Sequence, residues 1–191
     1  MAQLFGEFIE REEGTGEYLK IGFHPSSVPL QQRWRNNGLS ADFLAGYVST
    51  FFPGNDPMST ERQLEIKDAI SYIANELLEN AMKFSGGASR RTVSIEMFLE
   101  SDTISLYSTN GLSPDKFEPF QQFITRLLKE DPGELYIAQL EQNAESDEEG
   151  ASNLGYLTML SDYGATLGWM FKEYREDEDS GSVTTMVRLA V

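Results

Sequence analysis

The chain has 191 residues, with 15 Lys and Arg against 31 Asp and Glu, a formal net charge of −16, no cysteine and one histidine. A chain of this length buries a core without staples, and the missing thiols exclude disulfides, zinc–thiolate sites and cysteine nucleophiles while pointing to a reducing cytoplasm. So acidic a protein makes a poor partner for nucleic acid or an anionic membrane surface, because both need clustered cations. No run reaches the roughly 18 apolar residues of a membrane span, and Met1–Glu10 lacks the form of a signal peptide.

Leu4, Phe5, Phe8 and Ile9 make a short strand-like start, followed by an acidic turn at Glu12–Gly16. Leu19, Ile21 and Phe23 then alternate as one face of a half-buried strand, which Pro25-Ser26-Ser27 ends. A helix capped by Ser40 follows, with Phe43, Leu44, Tyr47, Val48 and Phe51 at helical spacing, and Pro53–Pro57 breaks it. Ile66, Ile70, Ile73, Leu77, Ala81 and Phe84 recur at steps of three and four. This stripe predicts a long helix, capped at Ser59 or Thr60 and stopped by Ser85-Gly86-Gly87.

Val93, Ile95, Met97 and Leu99 share a face of the next strand, which turns at Glu100-Ser101-Asp102 and returns through Ile104 and Leu106. Pro114–Leu140 reads as helical, with Phe117, Phe120, Phe123, Ile124, Leu127 and Leu128 as a core stripe. After an acidic stretch at Ala144–Ser152, Leu154, Leu157 and Leu160 suggest a short helix ended by Gly164. Ala165–Tyr174 and Val183–Val191 read as paired strands around an acidic turn. Strands, hairpins and helices in this order predict an α+β class, an antiparallel-rich sheet with helices on one face.

Glu76, Asn80 and Lys83 stand four and three residues apart, so they share one flank of the long helix, beside its buried stripe. Side chains so arranged can handle a metal–phosphate group. The amide oxygen ligates Mg²⁺, the carboxylate orients or deprotonates a nucleophile, and the ammonium meets phosphate. The same trio also reads as an ordinary solvated helix face with a Glu–Lys pair.

The stretch Glu76-Leu-Leu-Glu-Asn80-Ala-Met-Lys83-Phe84-Ser85 resembles the N-box of the GHKL superfamily, the ATP-binding fold of histidine kinases, gyrase-type ATPases and anti-sigma-factor kinases. Thr109-Asn110-Gly111-Leu112-Ser113 stands where that family places its D-x-G-x-G motif, and residues 112–152 stand where it places an ATP lid. Gly150-Ala-Ser-Asn153-Leu154-Gly155-Tyr156-Leu157 resembles its glycine-rich G-x-G-L-G-L motif, and Gly164-Ala-Thr-Leu-Gly-Trp-Met-Phe resembles a closing strand. The match runs in order from Leu19 to Val191. It implies a Bergerat-type sandwich, a mixed, mostly antiparallel sheet with helices on one face. It further implies a single domain over residues 1–191, with 1–16 as an N-terminal extension.

Carried over by position, the resemblance implies that Glu76 is the catalytic residue that positions or activates the attacking group. Asn80 is the Mg²⁺ ligand and Lys83 a phosphate contact. Asn110 and Gly111 lie under the adenine, and Asn153, Leu154 and Gly155 present backbone N–H groups to phosphate at a helix start. There are departures: Thr109 stands in place of the adenine-binding Asp, Ser113 in place of the second glycine, and Asn153 and Tyr156 in place of a glycine and an apolar residue.

The only histidine, His24, sits in a strand-end turn, so the histidine-kinase branch does not fit, and gyrase-type ATPases are much longer. The branch that remains is the small stand-alone kinases of bacterial partner switching, the anti-sigma-factor and SiaB types. That resemblance implies a cytoplasmic, Mg²⁺/ATP-dependent Ser/Thr protein kinase, with a homodimer implied alongside. Its partner would be a STAS-like antagonist or a response-regulator-like protein. Thr109 supports an alternative, a degenerate GHKL module that regulates a partner by contact without ATP chemistry.

Overall fold

The computed structural model describes residues 2–10, 16–24, 30–52, 56–84, 92–145, 154–172 and 181–191. Its elements in chain order are β1 (Ala2–Gly6), β2 (Glu17–Phe23), α1 (Leu30–Ser49), α2 (Pro57–Phe84), β3 (Val93–Leu99), β4 (Thr103–Leu112), α3 (Pro114–Leu127), α4 (Pro132–Glu145), α5 (Leu154–Ser161), β5 (Thr166–Lys172) and β6 (Gly181–Ala190). The strands form one sheet in the order β1-β5-β6-β4-β3-β2. Among the described residues every pairing is antiparallel, so the expected mixed sheet is antiparallel throughout. β1 pairs with β5 as an edge strand of that sheet.

Strand alternation decides which face each residue serves. Ile95 and Met97 of β3 and Ile104, Leu106 and Leu112 of β4 point into the main core, where they meet Ile66, Ile70, Ile73 and Leu77 of α2. These α2 residues are the predicted stripe. α1 packs on α2 through Ala41, Leu44, Ala45 and Val48. The α3 stripe is core as well, with Phe120, Ile124 and Leu127 buried and Leu128 left exposed.

Three boundaries differ from the sequence reading. α1 begins at Leu30, and Ser40 is no cap: its hydroxyl donates to the Asn36 carbonyl at 2.7 Å, within the helix. Of the residues at helical spacing, Leu44 and Val48 are buried, and Phe43 and Phe51 are exposed. α2 is capped by Asp56, whose Oδ1 accepts the N–H groups of Met58 and Ser59 at 3.0 Å each, with Pro57 at the first helical position. Pro114–Leu140 is two helices, because the Asp131 carboxylate accepts from Gly133 and Glu134 N–H and so starts α4. Ser85-Gly86-Gly87, Pro25-Ser26-Ser27 and the acidic stretches at 146–152 and 176–180 lie outside the described residues.

The far face of the sheet carries a smaller cluster of Phe98, Tyr107 and Met186, over which Phe8 packs. Tyr107 donates its hydroxyl to the Ile9 carbonyl at 3.1 Å. Gly168 makes that crossing possible, since a Cβ there would lie 2.5 Å from both Cα and N of Phe8. Among the described residues no helix is long and apolar enough to cross a membrane.

Candidate functional site

The second half of α2 carries Glu76, Asn80 and Lys83 on the flank that meets α5. At the start of α5, Gly155 lies against the Glu76 carboxyl, and a Cβ built there would overlap that carboxylate and sit 3.0 Å from its Cδ. Glycine is therefore what allows the two helices to close at this point. One turn on, Asn80 is buried at 8% exposure, within hydrogen-bonding reach of the Tyr156 hydroxyl of α5. The same hydroxyl meets Thr185 of β6. One buried oxygen thus links α2, α5 and the sheet.

Aromatic packing holds that oxygen in place. The Tyr156 ring meets Trp169 edge-on with centroids 5.7 Å apart and touches Phe120 and Phe123 of α3. Burial pushes the Tyr156 hydroxyl up to about 12, against the hydrogen bonding of its neighbours. The Trp169 indole N–H turns toward it without reaching good hydrogen-bond geometry and is left unpartnered.

The charged groups are perturbed in a matched way. Burial pushes the Glu76 carboxyl above its usual value; Glu79 adds to the shift and Lys83 opposes it. Burial pulls the Lys83 ammonium down, with Glu76 opposing that fall and Lys116 adding to it. The Lys83 and Lys116 Nζ atoms each stand 5.8 Å from the centre of the Phe84 ring. Lys116, in the first turn of α3, is a second cation at the end of α2 that sequence reasoning missed. Its only signal was a lone positive charge at the head of the lid-like segment.

β4 changes the reading of the D-x-G-x-G position. Thr109 does not face α2. Its hydroxyl pairs with that of Thr184 at 2.9 Å on the far face of the sheet, beside a cavity of about 270 Å³ that it lines with Glu96 and Tyr107. The inward polar residues at this end of β4 are Ser108 and Asn110. Ser108 donates to the Leu77 carbonyl of α2 at 3.5 Å. Asn110 is buried opposite Val183, and its Nδ2 donates to the Gly111 carbonyl at 2.9 Å. That geometry leaves the Asn110 Oδ1 as acceptor on the face toward α2, which Thr109 does not share.

The structure thus brings Glu76, Asn80 and Gly155 together, with Lys83 further along the same flank and Asn110 at the end of β4. Leu154 opens α5, while Asn153 lies outside the described residues. Among the described residues no group of three or more His, Asp or Glu side chains could hold a metal by itself. A site of one amide beside one carboxylate suits Mg²⁺, which keeps several waters and relies on phosphate oxygens for the rest of its shell. The groove between α1 and α2, about 390 Å³ with Asp42 and Asp68 in its walls, has the wrong sign for phosphate.

No protein-family profile and no curated protein matches the chain. A chain of the solved SiaB–SiaC complex from Pseudomonas aeruginosa is similar in structure, with a TM-score of 0.57 at 15% sequence identity over 91% of this chain and 89% of that one. The likeness shows the fold, an α+β arrangement built on a six-stranded antiparallel sheet, over nearly the whole length.

Proposed function

We propose that this protein is a partner-switching regulator that phosphorylates Ser or Thr on a protein partner, using Mg²⁺ and ATP in a cytoplasmic setting. The observation that carries the reading is the Glu76 carboxylate closed on Gly155 beside the buried Asn80 amide. Its fold likeness to a chain of a two-protein SiaB–SiaC complex supports a protein, rather than a small molecule, as the group acted on. The partner in this reading is a SiaC-like or STAS-like antagonist, with a response-regulator-like protein as the other candidate. A homodimer belongs to the same reading.

When bound, Mg·ATP supplies the phosphoryl group and the metal's screening charge. Asn80 offers its amide oxygen to the metal. Lys83 and Lys116 meet phosphate charge from the end of α2 and the start of α3. Glu76 orients the partner hydroxyl and takes its proton, a role for which a carboxyl raised by burial is suited. Leu154 and Gly155 offer N–H groups at the start of α5, where the helix dipole favours an anion. Asn110, with Gly111 beside it, accepts from the adenine amino group.

A second reading, a degenerate module that holds its partner without ATP chemistry, is favoured by one observation. Both inward polar groups at the end of β4, Ser108 and Asn110, are neutral. A neutral acceptor binds an amino group about half as strongly as a carboxylate does. Calorimetric titration of wild type and Asn80→Ala with ATP, with and without Mg²⁺, separates the two. Saturable binding that Asn80→Ala abolishes supports the kinase. No heat from either protein sinks the kinase and leaves the binding module.

A further inference from the structure

We propose that Tyr156 is a positioning residue of this site, whose buried hydroxyl fixes the Asn80 carboxamide with its oxygen turned toward the metal–phosphate side. This rests on the reading of Asn80 as the metal ligand. A carboxamide has an oxygen end and an NH₂ end of nearly equal shape, and only the oxygen can ligate a cation. On an open helix flank nothing selects one orientation, and the terminal amide torsion is soft. Here a partner from another element does select one. The Tyr156 hydroxyl lies within hydrogen-bonding reach of both the Asn80 side chain and Thr185 on β6, and in the proposed arrangement it accepts from Asn80 Nδ2.

The lock is rigid because neither neighbour can follow a rotating amide. Tyr156 is 1% exposed, with its ring held by Trp169, Phe120 and Phe123. Thr185 lies in β6 directly opposite Ser108, inside the sheet. A phenylalanine would fill the same space without carrying a polar group into the core. A buried hydroxyl is costly unless it is bonded, so tyrosine gains over phenylalanine here only through what its oxygen holds. The amide it holds lies one helical turn from Glu76, and the lock therefore sets the frame in which both side chains act.

The test uses Tyr156→Phe in the full chain, which keeps the ring and removes the hydroxyl. ATP affinity is measured with Mg²⁺ and with chelator. The gain in affinity that Mg²⁺ confers falls by about fivefold or more, as the loss of one oriented hydrogen bond implies, while affinity in chelator stays within about twofold. A purely structural role would move both affinities or neither. Independently of nucleotide, the Asn80 side-chain amide signal, identified by its absence in Asn80→Asp, exchanges its protons about tenfold faster in the variant. Thr185→Val shifts both readouts the same way by a smaller factor and serves if Tyr156→Phe folds poorly. An unchanged Asn80 amide, or an unchanged Mg²⁺ gain, overturns the proposal. A wild type that binds no ATP overturns the proposed function instead, and the amide exchange then decides the Tyr156 lock alone.

Discussion

The Glu76 carboxylate occupies the space that a Cβ on Gly155 would fill. The two residues belong to different helices, so this contact fixes how α5 docks on α2. Gly155→Ala forces Glu76 off its position, at a cost of about 1–3 kcal/mol for overpacking. The gain in helix propensity from Gly to Ala, up to about 1 kcal/mol, offsets part of it. In a Glu76→Ala background the clash is gone and only the propensity gain remains. Denaturant unfolding of the four proteins in the cycle gives a coupling of about 1 kcal/mol or more. Strict additivity would show that the contact carries no energy.

The same carboxylate makes stability depend on pH. Burial raises its pKa above the usual 4.5, so the native state holds this proton more tightly than the unfolded chain does. Ionised Glu76 therefore costs stability above its folded pKa, and the cost disappears as pH falls toward 4.5. Glu76→Gln removes it. Because solvent still reaches the group, the gain is small, about 1–3 °C in Tm at pH 8, and it shrinks to nothing near pH 4.5. Thermal melts across that range test this, and equal Tm values at pH 8 would show that the carboxylate is not desolvated.

Much of this arrangement was legible in the chain. The α2 stripe, the β3–β4 hairpin and the α3 core face follow from periodicity, because each element buries one face along an unbroken run. The flank carrying Glu76, Asn80 and Lys83 follows from helical spacing alone. The start of α1 was hidden, since Asn36, Asn37 and Gly38 are poor helix formers, and packing of Ala41, Leu44 and Val48 on α2 overrides them. The inward residue of β4 was hidden for a different reason. Motif matching carries no information about strand phase, and a shift of one residue exchanges the faces. Lys116 and Tyr156 join the site only through tertiary contact, which no local pattern reports.

That phase yields a prediction of its own. Thr109 bonds Thr184 on the far face, while Asn110 is buried on the face toward α2. Thr109→Val gives up one hydrogen bond, about 1 kcal/mol of stability, and leaves ATP affinity within about twofold. Asn110→Ala removes the inward acceptor and, in the proposed function, weakens ATP about tenfold. Calorimetry on both variants decides the register, and the reverse ranking would restore Thr109 to the adenine position.

Gly168 tests the far face in the same spirit. There a new Cβ meets the Phe8 backbone, which cannot rotate away as a side chain would. Gly168→Ala therefore lifts residues 7–10 off the sheet. That separates Phe8 from the Phe98, Tyr107 and Met186 cluster and breaks the Tyr107–Ile9 hydrogen bond. The cost is about 2–3 kcal/mol, or about 5–10 °C in Tm. Hydrogen exchange localises it, because the Glu7 N–H, bonded to the Leu167 carbonyl at 3.0 Å, loses protection, while the amides of α2 and α5 keep theirs. ATP affinity, which in the proposed function depends on the opposite face, is retained. Loss of protection throughout α2 would mean that the N-terminal strand supports the whole core rather than the edge of the sheet it pairs with.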